Sequence, residues 1–177
     1  MHVLGVDPGT SENGCGMVLY DTDERRVLWS DNVGEAEALT AVRHSACTCR
    51  LSRTGAPRVD RIVVERVSAT GIGGNDVVRA AELAGEFYEA ARGSCPRARY
   101  RRREVLSALR IPGGKGSRDA KVRAACIDDH GGTRREAVGT KATPGPLYGV
   151  TSHAWQALGL VLADLALGHP LIGARHT

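Results

Sequence analysis

The order of short apolar runs and amphipathic stretches constrains the fold of this chain more than any other feature. Apolar runs of strand length occur five times, at residues 3–6, 17–20, 26–29, 61–65 and 98–100. Apolar residues at helical spacing also occur five times, at 35–53, 75–91, 104–109, 117–129 and 151–167. Three strands before the first helix, then alternating strands and helices, are typical of a mixed sheet with helices on its faces. We therefore predict a single α/β domain over residues 1–177.

Turn-forming residues separate these predicted elements. The polar run 21–24 predicts a hairpin between the second and third strands. A Gly-rich loop at 68–74 follows the fourth strand. Residues 133–149 contain Pro144 and Pro146 and are predicted to be irregular.

The charged residues are distributed unevenly along the chain. Residues 1–96 contain 10 Lys or Arg and 14 Asp or Glu, whereas residues 97–141 contain 13 basic and 5 acidic residues. A basic block beside an acidic one suits a protein that binds phosphates with one surface and metal ions with another. A solvated Arg-rich face has the same composition, so charge alone leaves both interpretations open.

Three further features bear on the compartment. No apolar stretch approaches the ~20 residues of a membrane span, and the N-terminal residues lack the pattern of a secretory signal. The five cysteines have neither disulfide-framework nor zinc-site spacing. We expect a cytoplasmic protein, in a bacterium or in the host of a phage, without membrane contact.

Two predicted strands end on a carboxylate. Asp7 follows the first strand and Glu65 ends the fourth. Functional groups of open α/β sheets gather outside the strand ends, so neighbouring strands would bring both carboxylates to one ion. Hard oxygen ligands favour Mg²⁺ or Mn²⁺, and such ions can activate water for phosphodiester hydrolysis. The alternative is that Asp7 caps a turn and Glu65 is an ordinary surface acid.

The last predicted helix carries two further polar candidates. His153 and Gln156 are three residues apart and therefore share a helix face. Asp164 lies eleven residues beyond His153, about 16 Å along the helix axis, which is too far to join the same ion. A lone helical histidine is more often structural, so spacing alone assigns His153 no role.

Four short motifs follow one another in a fixed order. The first is Leu-Gly-Val-Asp-Pro-Gly-Thr at 4–10, with Asn-Gly at 13–14, and the second is Val-Val-Glu-Arg-Val at 63–67. The third is a basic region that includes 103–106, 114–116 and 121–122, and the fourth is Ser-His-Ala-Trp-Gln-Ala-Leu-Gly-Leu at 152–160. In this order, over nearly the whole chain, they resemble the motifs of the RuvC-type Holliday-junction resolvases.

This resemblance implies a ribonuclease-H-like fold with a mixed five-stranded sheet flanked by helices. It also implies a homodimer that makes paired incisions in branched DNA with divalent metal ions and no small-molecule cofactor. By position, Asp7 and Glu65 become metal ligands, and His153 becomes a ligand or catalytic helper. Gln156 completes the site where the family has an acid, but its amide supplies no charge and cannot act as a base. Asp128 or Asp129 is the candidate to compensate.

Two segments are predicted to contact DNA. Small residues in the Gly-rich loop would let a phosphate backbone approach, and the loop candidates are Gly71, Ile72 and Gly73. Cations near the predicted helix start at 117 favour phosphates, and these candidates are Arg101, Arg102, Arg103, Lys115, Arg118 and Lys121. A flexible loop and a solvated cationic edge are the alternatives. The helix at 75–91 is a candidate for the dimer contact or for plain core packing.

Three other functions compete with a junction resolvase. An actin-like ATPase or sugar kinase also uses an Asp-x-Gly-Thr hairpin, but it needs two such domains, and 177 residues hold one. A nuclease of the same fold that acts on RNA or flap DNA is a second alternative. A junction-binding protein with an impaired catalytic site is the third, and Gln156 is the residue that favours it.

Overall fold

The computed structural model describes residues 1–51, 58–67, 74–92, 95–113 and 117–168, with the side chains of 46–51 left out. Its strands are β1 His2–Asp7, β2 Cys15–Asp21, β3 Arg26–Val33, β4 Arg61–Glu65 and β5 Arg97–Tyr100. Its helices are α1 Glu35–Leu51, α2 Asn75–Ala90, α3 Arg102–Ala108, α4 Arg118–Asp129, α5 Arg134–Ala137 and α6 Ala154–Ala166. The predicted order of strands and helices is confirmed, with one helix added.

The added helix lies in the segment 133–149, which was predicted to be irregular throughout. α5 forms there because the Thr133 hydroxyl accepts a hydrogen bond of 3.2 Å from the Glu136 backbone N–H. This is a side-chain cap of the usual kind. α3 likewise begins two residues earlier than predicted, since the Arg101 N–H donates to the Glu104 carboxylate over 2.6 Å.

The five strands form one mixed sheet in the order β3-β2-β1-β4-β5. β1 pairs antiparallel with β2, and β2 with β3, as the predicted hairpin requires. β1 pairs parallel with β4, and β4 with β5. β1 is therefore central, and its continuous apolar run reflects coverage on both faces.

Two cores cover the two faces of this sheet. On one face, Val3, Val18 and Val63 pack with residues of α3, α4 and α6. On the other, side chains such as Leu4 and Val64 pack with residues of α1 and α2. Since side chains alternate along a strand, Asp7 shares its face with Val3, and Glu65 shares its face with Val63. Both carboxylates thus belong to the face that α6 covers.

α6 is buried from Ala154 to Asp164 and packs directly on β1 and β2. Its first residues approach the sheet at Gly16, which pairs with Asp7 in the register of β1 and β2. A Cβ atom at Gly16 would lie 2.3 Å from the carbonyl carbon of His153. Only glycine leaves room for this approach, so the N-terminus of α6 comes to the strand end that carries Asp7.

The other end of α6 is held by a buried ion pair. Asp164 accepts hydrogen bonds from Arg61 Nη2 over 2.8 Å and from the Tyr100 hydroxyl over 2.5 Å. Arg61 Nε lies 2.7 Å from its second oxygen. Asp164 therefore joins α6 to β4 and β5, and it lies apart from the carboxylates at the strand ends, as the helical rise predicts. In the part of the chain that the structure describes, no helix is long and apolar enough to cross a membrane.

Candidate active site

Asp7 and Glu65 meet at the carboxyl edge of the sheet. Val6 pairs with Val64 in the parallel register, so the two carboxylates that follow stand side by side. They are close enough to share a hydrogen bond. Burial first, and then the hydrogen bond and charge of Asp7, raise the pKa of Glu65 to about 8. With this raised pKa, Glu65 retains a proton at neutral pH.

His153 stands next to Asp7 at the start of α6. Its Nδ1 atom lies 3.8 Å from an Asp7 carboxylate oxygen, and its side chain is 48% exposed. The nearby Asp7 carboxylate is the main cause of a raised pKa for His153. The imidazole is therefore poised to carry a proton beside the carboxylate pair.

A residue of β3 holds His153 in place. Asn32 Oδ1 accepts from the Ala154 N–H over 3.1 Å, and Asn32 Nδ2 donates to the Thr151 carbonyl over 3.2 Å. Ser152, between these contacts, has a positive φ of 43°. This turn, which Asn32 fixes, explains why α6 begins at Ala154 rather than at 151 or 152 as predicted.

Gln156 is the third residue of α6 and is only 5% exposed. Its Nε2 atom donates to the backbone carbonyl of Asp119 over 3.4 Å. Because that carbonyl can only accept, the amide nitrogen of Gln156 faces it and the amide oxygen points away from it. This buried oxygen has no hydrogen-bond partner among the described residues. An orphaned acceptor in this place is free to bind a cation.

Asp119 and Arg102 complete the cleft, and the sequence reasoning did not place either of them there. Arg102 Nη1 lies 3.5 Å from a Glu65 oxygen, and Arg102 Nη2 donates to the Asp119 carboxylate. A Cβ at Gly159 of α6 would lie 2.5 Å from Val122 Cγ1 of α4. This close packing of α4 on α6 brings the first turn of α4, with Asp119, next to Gln156.

These side chains line an open cleft of about 340 Å³. Its walls include Thr10 after β1 and Asp76 in the first turn of α2. The prediction that Asp128 or Asp129 supplies a compensating acid is wrong. Both residues line a larger groove elsewhere, and Asp129 forms an ion pair with Arg25 over 2.9 Å. Asp128 is nine residues from Asp119, which is two and a half turns and so the opposite helix face.

Comparison with known proteins gives a clear result for structure only. No family model and no curated protein sequence matches this chain. The structure of Thermus thermophilus RuvC matches with a TM-score of 0.59 at 20% identity, covering 95% of each chain. The structure of T. thermophilus RuvC in complex with Holliday junction substrate matches with a TM-score of 0.56 at 20% identity, covering 95% of this chain and 94% of that one. This chain has the RuvC fold. The predicted ribonuclease-H-like mixed sheet is thereby confirmed.

All four positions taken from the RuvC-type motif pattern meet in this cleft of the RuvC fold: Asp7, Glu65, His153 and Gln156. Among the described residues, no three Asp, Glu, His or Cys side chains form a preassembled metal shell. The donor chemistry nevertheless fits a hard divalent cation, since it offers adjacent carboxylates and an orphaned amide oxygen. A proton on Glu65 and the guanidinium of Arg102 balance part of the negative charge of these carboxylates.

The basic residues predicted to contact DNA are distributed over several places. Arg103 and Arg118 are exposed near the first turns of α3 and α4, and Arg101 is the half-buried residue before α3. Lys121 instead lines the larger groove, and its Nζ donates to the Pro112 carbonyl over 3.3 Å. Gly71, Ile72, Gly73 and Lys115 lie outside the described residues.

Proposed function

We propose that this protein is a divalent-metal-dependent endonuclease that resolves four-way or other branched DNA junctions by phosphodiester hydrolysis. The observation that carries the proposal is the meeting of the Asp7–Glu65 pair with His153 at the carboxyl edge of a RuvC-fold sheet. That one structural neighbour is a RuvC in complex with a Holliday junction supports branched DNA as the substrate class.

Asp7, Glu65 and the amide oxygen of Gln156 would hold the ion, Mg²⁺ or Mn²⁺. A bound ion supplies Lewis acidity and lowers the pKa of water. His153 contributes a proton-transfer group. Its Nδ1 faces Asp7, which favours the imidazolium, and its half-exposed ring can pass a proton to the leaving oxygen. Asp7 would thus both hold the metal ion and orient the His153 ring.

Exposed cations near the cleft would hold the DNA backbone. Arg103 and Arg118 lie on α3 and α4, the helices that also bring Arg102 and Asp119 into the cleft. Contacts of this kind position the duplex without reading its sequence. Paired incisions need two such clefts, so the proposal includes a homodimer. Val78, exposed on α2, is compatible with the predicted contact of that helix.

The experiment that tests this proposal compares labelled substrates with purified protein. A four-way junction, a matched duplex, a flap and a matched RNA are incubated with Mg²⁺ and then with EDTA. We expect symmetric nicks near the junction that need metal and disappear in Asp7→Asn, while Asp128→Asn, on the far face of α4, cuts normally. Preferred cutting of the flap or the RNA would make that nucleic acid the substrate in place of the junction, and the protein would still be a nuclease.

A second candidate function is junction binding without cleavage. It is favoured by Gln156, which puts a neutral amide where the RuvC-type pattern has an acid. Tight junction binding with no nick in either Mg²⁺ or Mn²⁺ would select this function and overturn the enzymatic one.

A further inference from the structure

α6 contributes no carboxylate to the cleft, but α4 does. Gln156 contributes no charge, and its buried oxygen lacks a partner among the described residues. The residue whose backbone carbonyl accepts from Gln156 Nε2 is Asp119, so an acidic residue lies next to Gln156. Asp119 is the second residue of α4, a helix for which the sequence pattern predicted phosphate contacts and Asp128 or Asp129 as a compensating acid, but not Asp119.

Asp119 is linked to Glu65 through a single guanidinium. Arg102 contacts Glu65 with one terminal nitrogen and Asp119 with the other. The two carboxylates therefore lie on either side of one cation. Asp119 also acts across the cleft, since its charge contributes to the raised pKa values of both Glu65 and His153. Its carboxylate thus belongs electrostatically to the same cluster as Asp7.

We propose that Asp119 supplies the third carboxylate of the metal site, taking the part that an acid at position 156 plays in the RuvC-type pattern. This inference rests on the proposed metal-dependent function. Arg102 lies between Glu65 and Asp119, and a bound divalent cation would take over as the counter-charge of these two carboxylates. Arg102 would then be free to contact a DNA phosphate, a ligand that suits its fork of donors.

The competing explanation is that Asp119 is only a surface partner of Arg102. Its side chain is 69% exposed, and exposed ion pairs contribute little to stability. The two explanations differ in what happens to metal affinity. A ligand carboxylate changes metal affinity directly, whereas a surface partner changes it only through Arg102.

The test is a titration of the protein with Mn²⁺, in which electron paramagnetic resonance measures the free ion. We expect Asp119→Asn to weaken Mn²⁺ binding by at least the roughly 10-fold that loss of an outer-shell partner causes. Asp128→Asn, on the same helix, should bind as the wild type does. Thermal melting checks that both variants fold, which the exposure of both side chains favours.

Asp7→Asn separates this inference from the proposed function. If Asp7→Asn weakens Mn²⁺ binding and Asp119→Asn does not, the role of Asp119 is overturned while the metal site stands. If the wild-type protein binds no Mn²⁺, both are overturned.

Two double variants separate a ligand from a surface partner. In an Arg102→Gln background, a ligand role predicts that Asp119→Asn still weakens Mn²⁺ binding, whereas an unchanged affinity overturns the inference. Gln156→Asp should restore Mn²⁺ binding to Asp119→Asn, because it returns a carboxylate to the same cluster. Failure of this rescue contradicts the idea that the two positions serve one ion.

Discussion

At the scale of single residues, His130 shows how burial favours the neutral form of a histidine outside the candidate active site. Its Nε2 atom lies 2.8 Å from the Tyr20 hydroxyl, and its Nδ1 atom lies 2.9 Å from the Cys126 carbonyl. A carbonyl only accepts, so Nδ1 carries the proton and Nε2 accepts from the tyrosine. Both ring nitrogens are thus satisfied in the neutral form, and burial lowers the pKa of His130 below its usual 6.5.

This lowered pKa predicts a loss of stability in mild acid. As the pH falls below 6.5, the unfolded chain takes up a proton on His130 before the folded chain does. The contribution of His130 is therefore fully present above pH 6.5 and is lost as the pH falls through the folded-state pKa. Denaturant unfolding at pH 7.5 and 5.0 should show a larger acid-induced loss for the wild type than for His130→Gln. His44→Gln, an exposed change on α1, is the control and should behave as the wild type does.

The residues of the cleft differ in how far the sequence could predict them. Asp7 and Glu65 were predictable because each ends an apolar strand, and strand ends carry chemistry in open sheets. Asp119 gave no such signal, since an acid in the first turn of a helix is common and is favourable there in any protein. Its place in the cleft depends on the packing of α4 against α6 at Gly159, which no local pattern shows.

At the scale of elements, α6 connects the candidate active site to the sheet. Gly16 and Asn32 hold its first turn beside Asp7, and Asp164 holds its far end against Arg61 and Tyr100. The apolar residues between these ends fill the core. The sequence predicted this helix from its hydrophobic spacing, but a contact with Asn32 of a distant strand fixes its start two or three residues later.

Removal of the Asp164 charge should destabilise the fold without changing the residues of the candidate active site. Asp164→Asn leaves the Arg61 guanidinium buried without a counter-charge, and such losses cost about 3–5 kcal/mol. The free energy of unfolding in urea measures this effect. Asp129→Asn breaks the exposed pair with Arg25 and should cost less than about 1 kcal/mol. Equal effects of the two substitutions would contradict the structural role of Asp164.

At the scale of the whole molecule, the sheet order follows from the order of elements along the chain. Hairpin connections join β1, β2 and β3 as antiparallel neighbours, and helical crossovers place β4 and β5 parallel to β1. The sequence therefore predicted the fold class and the edge where Asp7 and Glu65 meet. It missed α5, which depends on one capping contact of Thr133.

The charge distribution of the molecule leads to a prediction about the proposed binding of DNA. If Arg103 and Arg118 contact phosphates, each releases bound counterions, and the dependence of log affinity on log salt changes by about 0.9 per contact. Arg103→Gln with Arg118→Gln should therefore flatten this slope by nearly 2 and weaken binding to any DNA. Arg43→Gln, exposed on α1, is the control. Fluorescence anisotropy over a salt series measures the slope, and an unchanged slope would remove both residues from the DNA surface.

In the proposed function, the Asp7–Glu65 pair binds the metal ion on which cleavage depends. The most direct measurement is the single-turnover rate of junction cleavage in Mg²⁺ for the wild type and Glu65→Gln, an amide of nearly the same shape. We expect a rate lower by about 100-fold or more in the variant, on the scale of a removed catalytic group, and no cleavage by either protein in EDTA. Cleavage by Glu65→Gln at the wild-type rate, or cleavage that survives EDTA, would contradict it.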